Sequence, residues 1–392
     1  MSAFAQSSVS FTGLFDRGYT TISNSSYTGV AKGLSSASGT TRFEINGTED
    51  LGGGMKAKFF IETDWNPLAG AAGSGGAGQF ATYNGGALPA TTIGSPGGFA
   101  NSESWLALET NNGTIKLGAP NNEIFIAVNT VGQPGFSTGI GSIYSSNFSI
   151  FNGIGTGNTS GSGGVQTYVA NAATDVNLGA RPIRQDNTIK YESPTMNGVK
   201  VAYEISQKND YTVTDAAAAT STKGNVGTTG YSIKYGNGPL NLVYAAITYD
   251  VGNYAAGATD AVAPLSTIRT NLAGQTQTNT YIGANYLVTP VLKLNAGMGT
   301  SKSSNGTTVN ASSTNYGITY TMGQTDLMYN FAKKDDKSTI NKDQKITGLG
   351  ANYNLSKMTY AYYRYDKINW STNLAFSGSD QTRNAIGFAV KF

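Results

Sequence analysis

Apolar and polar side chains alternate with a period of two along many stretches of about ten residues, the pattern of a β-strand whose two faces meet different surroundings. Helical periodicity is nearly absent. One face of each stretch is apolar, and the other often carries full charges. We therefore predict an all-β protein. The clearest alternating stretches are 42–48, 55–64, 199–206, 231–235, 292–298, 316–320 and 386–392.

Short and long connections alternate between these predicted strands. Seven connections are short: 49–54, 111–113, 194–198, 236–239, 288–291, 322–325 and 354–358. Eight are long: 24–40, 67–101, 119–182, 208–226, 251–275, 303–312, 335–342 and 368–380. Fifteen connections require sixteen strands. Short turns at one end and long loops at the other are typical of an antiparallel transmembrane β-barrel, in which the apolar face meets lipid.

A barrel of sixteen strands encloses an open aqueous lumen, whereas side chains fill a barrel of eight. Closure pairs every backbone group without leaving a free edge, as a membrane requires. The 23 tyrosines are consistent with aromatic girdles at the two membrane interfaces. A diffuse β-rich adhesin is the alternative architecture.

The composition excludes most classes of enzyme mechanism. The 392 residues include neither His nor Cys, which excludes imidazole bases, thiol nucleophiles, disulfides and zinc–thiolate sites. We predict no catalytic residues, no cofactor and no metal site. Glu62 and Asp64 lie two residues apart on one strand, but lysines share their face, so we interpret them as lumen lining. The net charge of +3, without a dense basic cluster, argues against nucleic acid as a partner.

The first residues carry a processing signal. Ala3-Phe4-Ala5 has the small-x-small form of a signal-peptidase site. We predict that residues 1–5 are the remnant of a signal peptide and that 6–392 form a single barrel domain of an exported protein. A cytosolic protein with a chance tripeptide is the alternative.

Several segments resemble the general porins of Gram-negative outer membranes, specifically the β-proteobacterial type. Residues 42–57, RFEINGTEDLGGGMKA, are the most specific match and resemble the second hairpin of that family. The terminal Phe392 matches the family's last residue. Further matches follow in the family's order at 7–16, 113–118, 187–194 with Gly198, and 353–359.

The resemblance implies a homotrimer of sixteen-stranded barrels with short periplasmic turns and long extracellular loops. It implies that the third loop, 119–182, folds into the lumen and forms a constriction. It also implies outer-membrane lipids and lipopolysaccharide as surroundings, and Phe392 as the assembly signal read by the barrel-assembly machinery. The chain departs from the family at Ala119-Pro120, where many members have Arg.

Strand parity places a slight excess of basic side chains on the water side, which predicts a weak anion preference. Mutual pairing of these charges, with little selectivity, is the alternative. The predicted pore-lining residues are Arg42, Lys56, Lys58, Arg184, Lys190, Lys200, Arg364 and Arg383. In the predicted constriction loop the charged residues are Glu123, Asp175 and Arg181.

Other features of the loops are less specific. We expect the loop aromatics to pack against the wall rather than to contact a solute: Phe125, Phe136, Tyr144, Phe148 and Phe151. We interpret 333–337 as a solvated strand end, with contact to lipopolysaccharide or a divalent ion as the alternative.

The sequence as a whole predicts an outer-membrane channel for passive diffusion of ions and small hydrophilic solutes. Two alternatives remain open: a substrate-specific channel for organic or aromatic acids, and a plugged barrel that serves as a surface adhesin or receptor.

Overall fold

A computed structural model describes most of the chain. The described residues are 7–24, 29–66, 71–72, 100, 102–145, 148–153, 182–185, 187–207, 210–213, 221–224, 226–251, 274–338, 341, 343–370 and 380–392. The predicted signal-peptide remnant, 1–5, lies outside them, as do Asp175 and Arg181.

Strands make up most of the described chain, as the alternating pattern predicts. Their bounds are β1 (Ser8–Asn24), β2 (Val30–Ser35), β3 (Arg42–Gly52), β4 (Met55–Asn66), β5 (Ala71–Ala72), β6 (Ser104–Thr110), β7 (Gly113–Ala119), β8 (Thr188–Glu192), β9 (Val199–Ser206), β10 (Asp210–Val213), β11 (Ser221–Gly224), β12 (Val226–Asn237), β13 (Leu240–Val251), β14 (Thr276–Thr289), β15 (Leu292–Ser303), β16 (Asn310–Met322), β17 (Thr325–Asp336), β18 (Gln344–Asn354), β19 (Thr359–Trp370) and β20 (Gln381–Lys391).

Sixteen of these strands form a closed antiparallel barrel, which confirms the prediction. They are β1, β3, β4, β6 to β9 and β12 to β20, and each pairs with the next along the chain. The barrel closes at β1, which pairs with β20 along Leu14–Asn24 and with β3 along Ser8–Leu14. The short strand β2 pairs with β1 along Gly18–Ser23, beyond the segment of β1 that pairs with β3. All seven predicted short connections join neighbouring barrel strands.

The two faces of the barrel differ as the parity argument requires. Outward side chains are apolar and exposed, for example Leu106, Ile233 and Phe388. Inward positions on the barrel strands carry polar and charged groups, among them Lys190 and Asp366. An apolar exterior is stable only against hydrocarbon, so this surface is suited to a lipid bilayer.

Helix is confined, within the described residues, to the loop after β7. It comprises α1 (Glu123–Ala127) and one turn of π-helix at Val128–Gly132. Neither approaches the length and hydropathy of a membrane-spanning helix.

Close backbone contact at Gly13 holds the barrel seam together. The amide of Gly13 donates to the carbonyl of Phe392 at 3.0 Å, and the amide of Phe392 donates back at 3.3 Å. A Cβ on Gly13 would lie 2.5 Å from the carbonyl oxygen of Arg42 and 2.6 Å from the Phe392 ring. The absence of a side chain is therefore needed where the first and last strands meet.

We expect Gly13→Ala to destabilise the folded barrel by about 1–3 kcal/mol, because the added methyl group overpacks a backbone contact. Gly33→Ala is the matched control, since a Cβ there meets nothing within 4 Å. The free energy of unfolding in urea, measured in lipid vesicles, compares the two. Equal stability of both variants would contradict the role assigned to Gly13.

Candidate functional site

The loop after β7 runs inside the barrel, along the inward faces of the wall. Its first residues are held by the wall near β6 and β8. Asn121 donates from its side chain to Glu103 at 2.5 Å and accepts from Arg184 at 2.7 Å. Lys190 donates to the carbonyl of Asn121 at 2.7 Å. These contacts direct the chain inward at the start of the predicted constriction loop.

Glu123, at the start of α1, is the electrostatic anchor of the loop. Its carboxylate lies 2.5 Å from the ammonium of Lys190 and 2.6 Å from that of Lys234. The hydroxyl of Ser232 also donates to it at 2.6 Å. The side chain of Glu123 is 1% exposed and that of Lys190 is 0% exposed. Two cations and one hydroxyl thus compensate the burial of this carboxylate.

The Glu123 pKa follows from this geometry. Burial alone raises the pKa, but Lys190 and then Lys234 favour the ionised form more strongly and hold the pKa at about 2. Glu204, which accepts from the Glu123 amide at 3.3 Å, and Glu192 each lie 3.8 Å from the same lysine. Glu123 is therefore charged throughout the ordinary pH range.

Side-chain amides on successive strands hold the middle of the loop. Asn295 and Asn315 both donate to the carbonyl of Gly132, at 2.6 Å and 2.8 Å. Asn285 donates to the carbonyl of Thr130 at 3.2 Å. These bonds satisfy carbonyls that the π-helical turn leaves unpaired. Sequence reasoning missed these asparagines, although each occupies an inward position on its strand.

The return of the loop is held by charged side chains of the opposite wall. Asp366 accepts from the amide of Gly141 at 2.8 Å and pairs with Arg383 at 2.5 Å. Lys334 donates to the carbonyls of Ser149 and Phe151, at 3.0 Å and 3.3 Å. The interpretation of the whole segment 333–337 as solvated is therefore wrong for Lys334 and Asp336, which are 1% and 3% exposed.

Aromatic side chains of the loop pack against apolar inward positions of the barrel. Tyr144, Phe148 and Phe151 are fully buried in one cluster with Ile247 and Tyr249 of β13. Phe125 packs against this cluster, and Phe136 is buried elsewhere. The expectation of packing is confirmed. β13 is apolar on both faces, which is the sequence signal that could have located this contact.

The loop covers the inner faces from β12 to β20 and also buries Lys190 of β8 and Glu204 of β9. The rest of the wall from β3 to β9 keeps partly exposed charges. Glu109 pairs with Lys58 and, at 3.8 Å, with Lys56. Glu192 lies 2.6 Å from Lys116 and 2.8 Å from Lys200. The described residues contain no cluster of three or more carboxylates that could hold a metal ion.

The eight predicted pore-lining residues all lie on inward faces or at the loop junction, but they divide into two groups. Four are partly exposed to the lumen: Arg42, Lys56, Lys58 and Lys200. Four are buried in contacts with the loop or the wall: Arg184, Lys190, Arg364 and Arg383. Any role in ion selectivity stays a prediction for both groups.

Arg364 shows how far burial changes the environment of a lumen cation. Its guanidinium lies 5.8 Å from the Phe136 ring centroid and 5.2 Å from that of Tyr362. It also donates to Ser38 at 3.1 Å and to Asn352 at 2.8 Å. These contacts tie together the first loop, the third loop and β19.

We expect Glu123→Gln to loosen the loop without opening the barrel. The substitution leaves Lys190 and Lys234 without their shared carboxylate, and loss of one partner from a buried ion pair costs about 3–5 kcal/mol. Open-channel current noise and protease cleavage within the loop should both increase. Glu49→Gln, the same change at an exposed position beside a turn, is the control and should alter neither. Unchanged noise and cleavage in Glu123→Gln would refute the anchor.

We also expect the anchor to persist in mild acid. The pKa of Glu123 lies below its usual value of 4.5, so the carboxylate stabilises the attached loop above that pH. This contribution decreases progressively below pH 4.5 and is lost completely as the pH falls through about 2. Glu123 in the attached loop is still ionised at about pH 3.5, which lies between the two pKa values, so open-channel noise should rise only slightly from its value at pH 7 and should rise steeply only near pH 2. A rise in noise centred near the ordinary pKa of glutamate would contradict the anchor.

Comparison with known proteins places this architecture in one family. The Gram-negative porin family model matches residues 1–373. An outer membrane porin protein of Bordetella pertussis (strain Tohama I) is 26% identical to this chain, over 94% of this chain and 85% of its own.

Two solved structures share the fold at lower identity. An anion-selective porin from Comamonas acidovorans is 21% identical, with a TM-score of 0.68 over 99% of this chain and all of its own. A trimer form of the outer membrane protein OmpT of Vibrio cholerae is 12% identical, with a TM-score of 0.54 over 98% of this chain and 99% of its own. With the family match over nearly the whole sequence and a closed barrel of sixteen strands, this chain belongs to the Gram-negative porins, the channel proteins of the outer membrane.

Proposed function

We propose that this porin is a passive, water-filled channel for ions and small hydrophilic solutes, with a weak preference for anions. Residues 6–392 form its single domain, and the third loop, 119–182, narrows the lumen. Transport down a concentration gradient requires no chemical step, so we assign the chain no enzymatic activity.

The open wall is the part of the barrel wall from β3 to β9 that the third loop leaves partly exposed. The sharing of carboxylates among its lysines supports the anion preference. Four partly exposed lysines from β4, β7 and β9 use only two glutamates, Glu109 and Glu192. Each glutamate thus faces more cations than it can neutralise. A local excess of positive charge in a narrow aqueous lumen attracts anions and repels cations.

A second group of charges explains why the preference is weak. On β3 and β4, Arg42 lies 2.5 Å from Glu44 and 3.6 Å from Glu62. Asp64 is a third carboxylate of this cluster, and Arg184 is a second cation that acts on Glu62. Three carboxylates thus face two cations, so the local balance is negative and opposes the excess of lysines described above. The selectivity of the related porin from Comamonas acidovorans agrees with the sign that we propose.

We propose the same assembly and surroundings as the sequence resemblance implies: a homotrimer in outer-membrane lipid and lipopolysaccharide, with turns in the periplasm and loops outside. The exposed apolar exterior and the trimer form of a structural neighbour support this. Phe392, whose backbone closes the barrel seam and whose side chain is 46% exposed, is the proposed contact for the barrel-assembly machinery.

We expect a reversal potential of anion sign when the refolded protein separates a tenfold KCl gradient in a planar bilayer. Its magnitude should lie well below the roughly 59 mV of an ideally selective pore. Lys56→Gln combined with Lys200→Gln should move the potential towards cation selectivity, and Glu109→Gln should move it the opposite way.

Lys345→Gln is the control for this experiment, because it removes the same charge from an outward, exposed position. It should leave the potential unchanged. Clear cation selectivity of the unaltered protein would overturn the proposed preference. Folded protein that conducts no current would favour the plugged-barrel alternative.

A further inference from the structure

Two aromatic rings lie on the inward face of the open wall. Phe60 of β4 and Trp105 of β6 are direct cross-strand partners. Their ring centroids are 5.6 Å apart and their planes differ by 19°, so the rings are stacked. They share the inward face with Lys58, Ala107 and Glu109, whereas the alternate residues Leu106 and Leu108 are exposed outward.

Neither of the roles filled by the other aromatics explains this pair. Outward rings such as Tyr203 and Phe388 face the apolar exterior, and loop rings such as Phe148 are buried beneath the third loop. Phe60 and Trp105 face the lumen and remain partly exposed. Removing an apolar surface from water is favourable, so these partly exposed rings can bind a ligand whose apolar face covers them.

Cationic groups from β4 and β7 lie beside the pair. Lys58 precedes Phe60 by two residues on the same face, which places their Cα atoms roughly 7 Å apart. On the other side, the ammonium of Lys116 lies 4.8 Å from the Trp105 ring centroid. The indole nitrogen of Trp105 donates to Glu103 at 2.8 Å, which fixes the orientation of the ring.

We propose that Phe60 and Trp105, with Lys58 and Lys116, form a binding site in the lumen for aromatic carboxylates. The rings contact the aryl group, and the lysines, whose glutamates are shared with other lysines, attract the carboxylate. This inference rests on the proposed channel function and names a class of solute that the channel favours. The loop aromatics are packed against the barrel, so the Phe60–Trp105 pair on β4 and β6 provides the aromatic contact instead.

The site binds weakly, as transport requires. A solute must enter readily and must also leave, so tight binding would block the channel. A single aromatic contact adds about two- to tenfold to the affinity beyond area burial. Benzoate should therefore bind several-fold more tightly than cyclohexanecarboxylate, which has the same charge and a similar size.

The test is reduction of the KCl current through the refolded protein by benzoate, cyclohexanecarboxylate and benzylammonium. We expect half-reduction at a several-fold lower concentration of benzoate than of cyclohexanecarboxylate, and little effect of benzylammonium. Trp105→Leu and Phe60→Leu should abolish the difference between the two carboxylates. Phe59→Leu is the matched control, because Phe59 is the outward neighbour on the same strand, and it should keep the difference.

Three outcomes would overturn the site: equal potency of the two carboxylates, an unchanged difference in both lumen variants, or stronger block by benzylammonium than by benzoate. Trp105→Phe keeps a ring and should keep the difference, so it tests the proposal should Trp105→Leu fold poorly. The reversal potential in KCl is measured on the same channels. An anion sign with no benzoate preference would refute the site alone, whereas a cation sign would refute the proposed function.

Discussion

Every backbone amide and carbonyl inside a bilayer must find a partner within the protein, and the rest of this structure depends on that requirement. The chain meets it by pairing β1 with β20 as well as with β3, so the sheet has no free edge within the barrel. Closure gives each strand one face towards lipid and one towards the lumen. The period of two in the sequence follows, and sixteen strands leave space for water and for an inserted loop.

The inserted loop then decides which charges a permeating ion meets. It buries the inner wall from β12 to β20 together with Arg364, Arg383 and Lys334. Apart from the buried Lys190 and Glu204, the wall from β3 to β9 keeps partly exposed lysines and glutamates and the Phe60–Trp105 pair. On the covered side, apolar inward residues of β13, such as Ile247, pack against the loop, and charged side chains such as Lys334 and Asp366 bind its backbone.

Sequence reasoning predicted the barrel, its sixteen strands and the inward direction of the charges, because all three follow from local alternation and from turn spacing. It could not separate exposed from buried lumen cations. Lys190 and Lys200 both lie at inward positions on neighbouring strands, yet one is buried against Glu123 and the other is partly exposed. That difference depends on where a distant loop returns, which no local pattern encodes. Phe60 and Trp105 were missed because aromatic residues in barrel strands suggest lipid contact.

The anchors of the third loop have a mechanical consequence. They come from strands well separated around the circumference: β8 and β12 through Glu123, β15 and β16 through Gly132, β17 through Lys334, and β19 through Gly141. A sheet of hydrogen-bonded strands resists stretching but bends easily across its strands, so an empty barrel of this width deforms towards an oval. The loop acts as an internal brace against that deformation, and a cut within it would make the cross-section of the channel more compliant while every strand pair stayed intact.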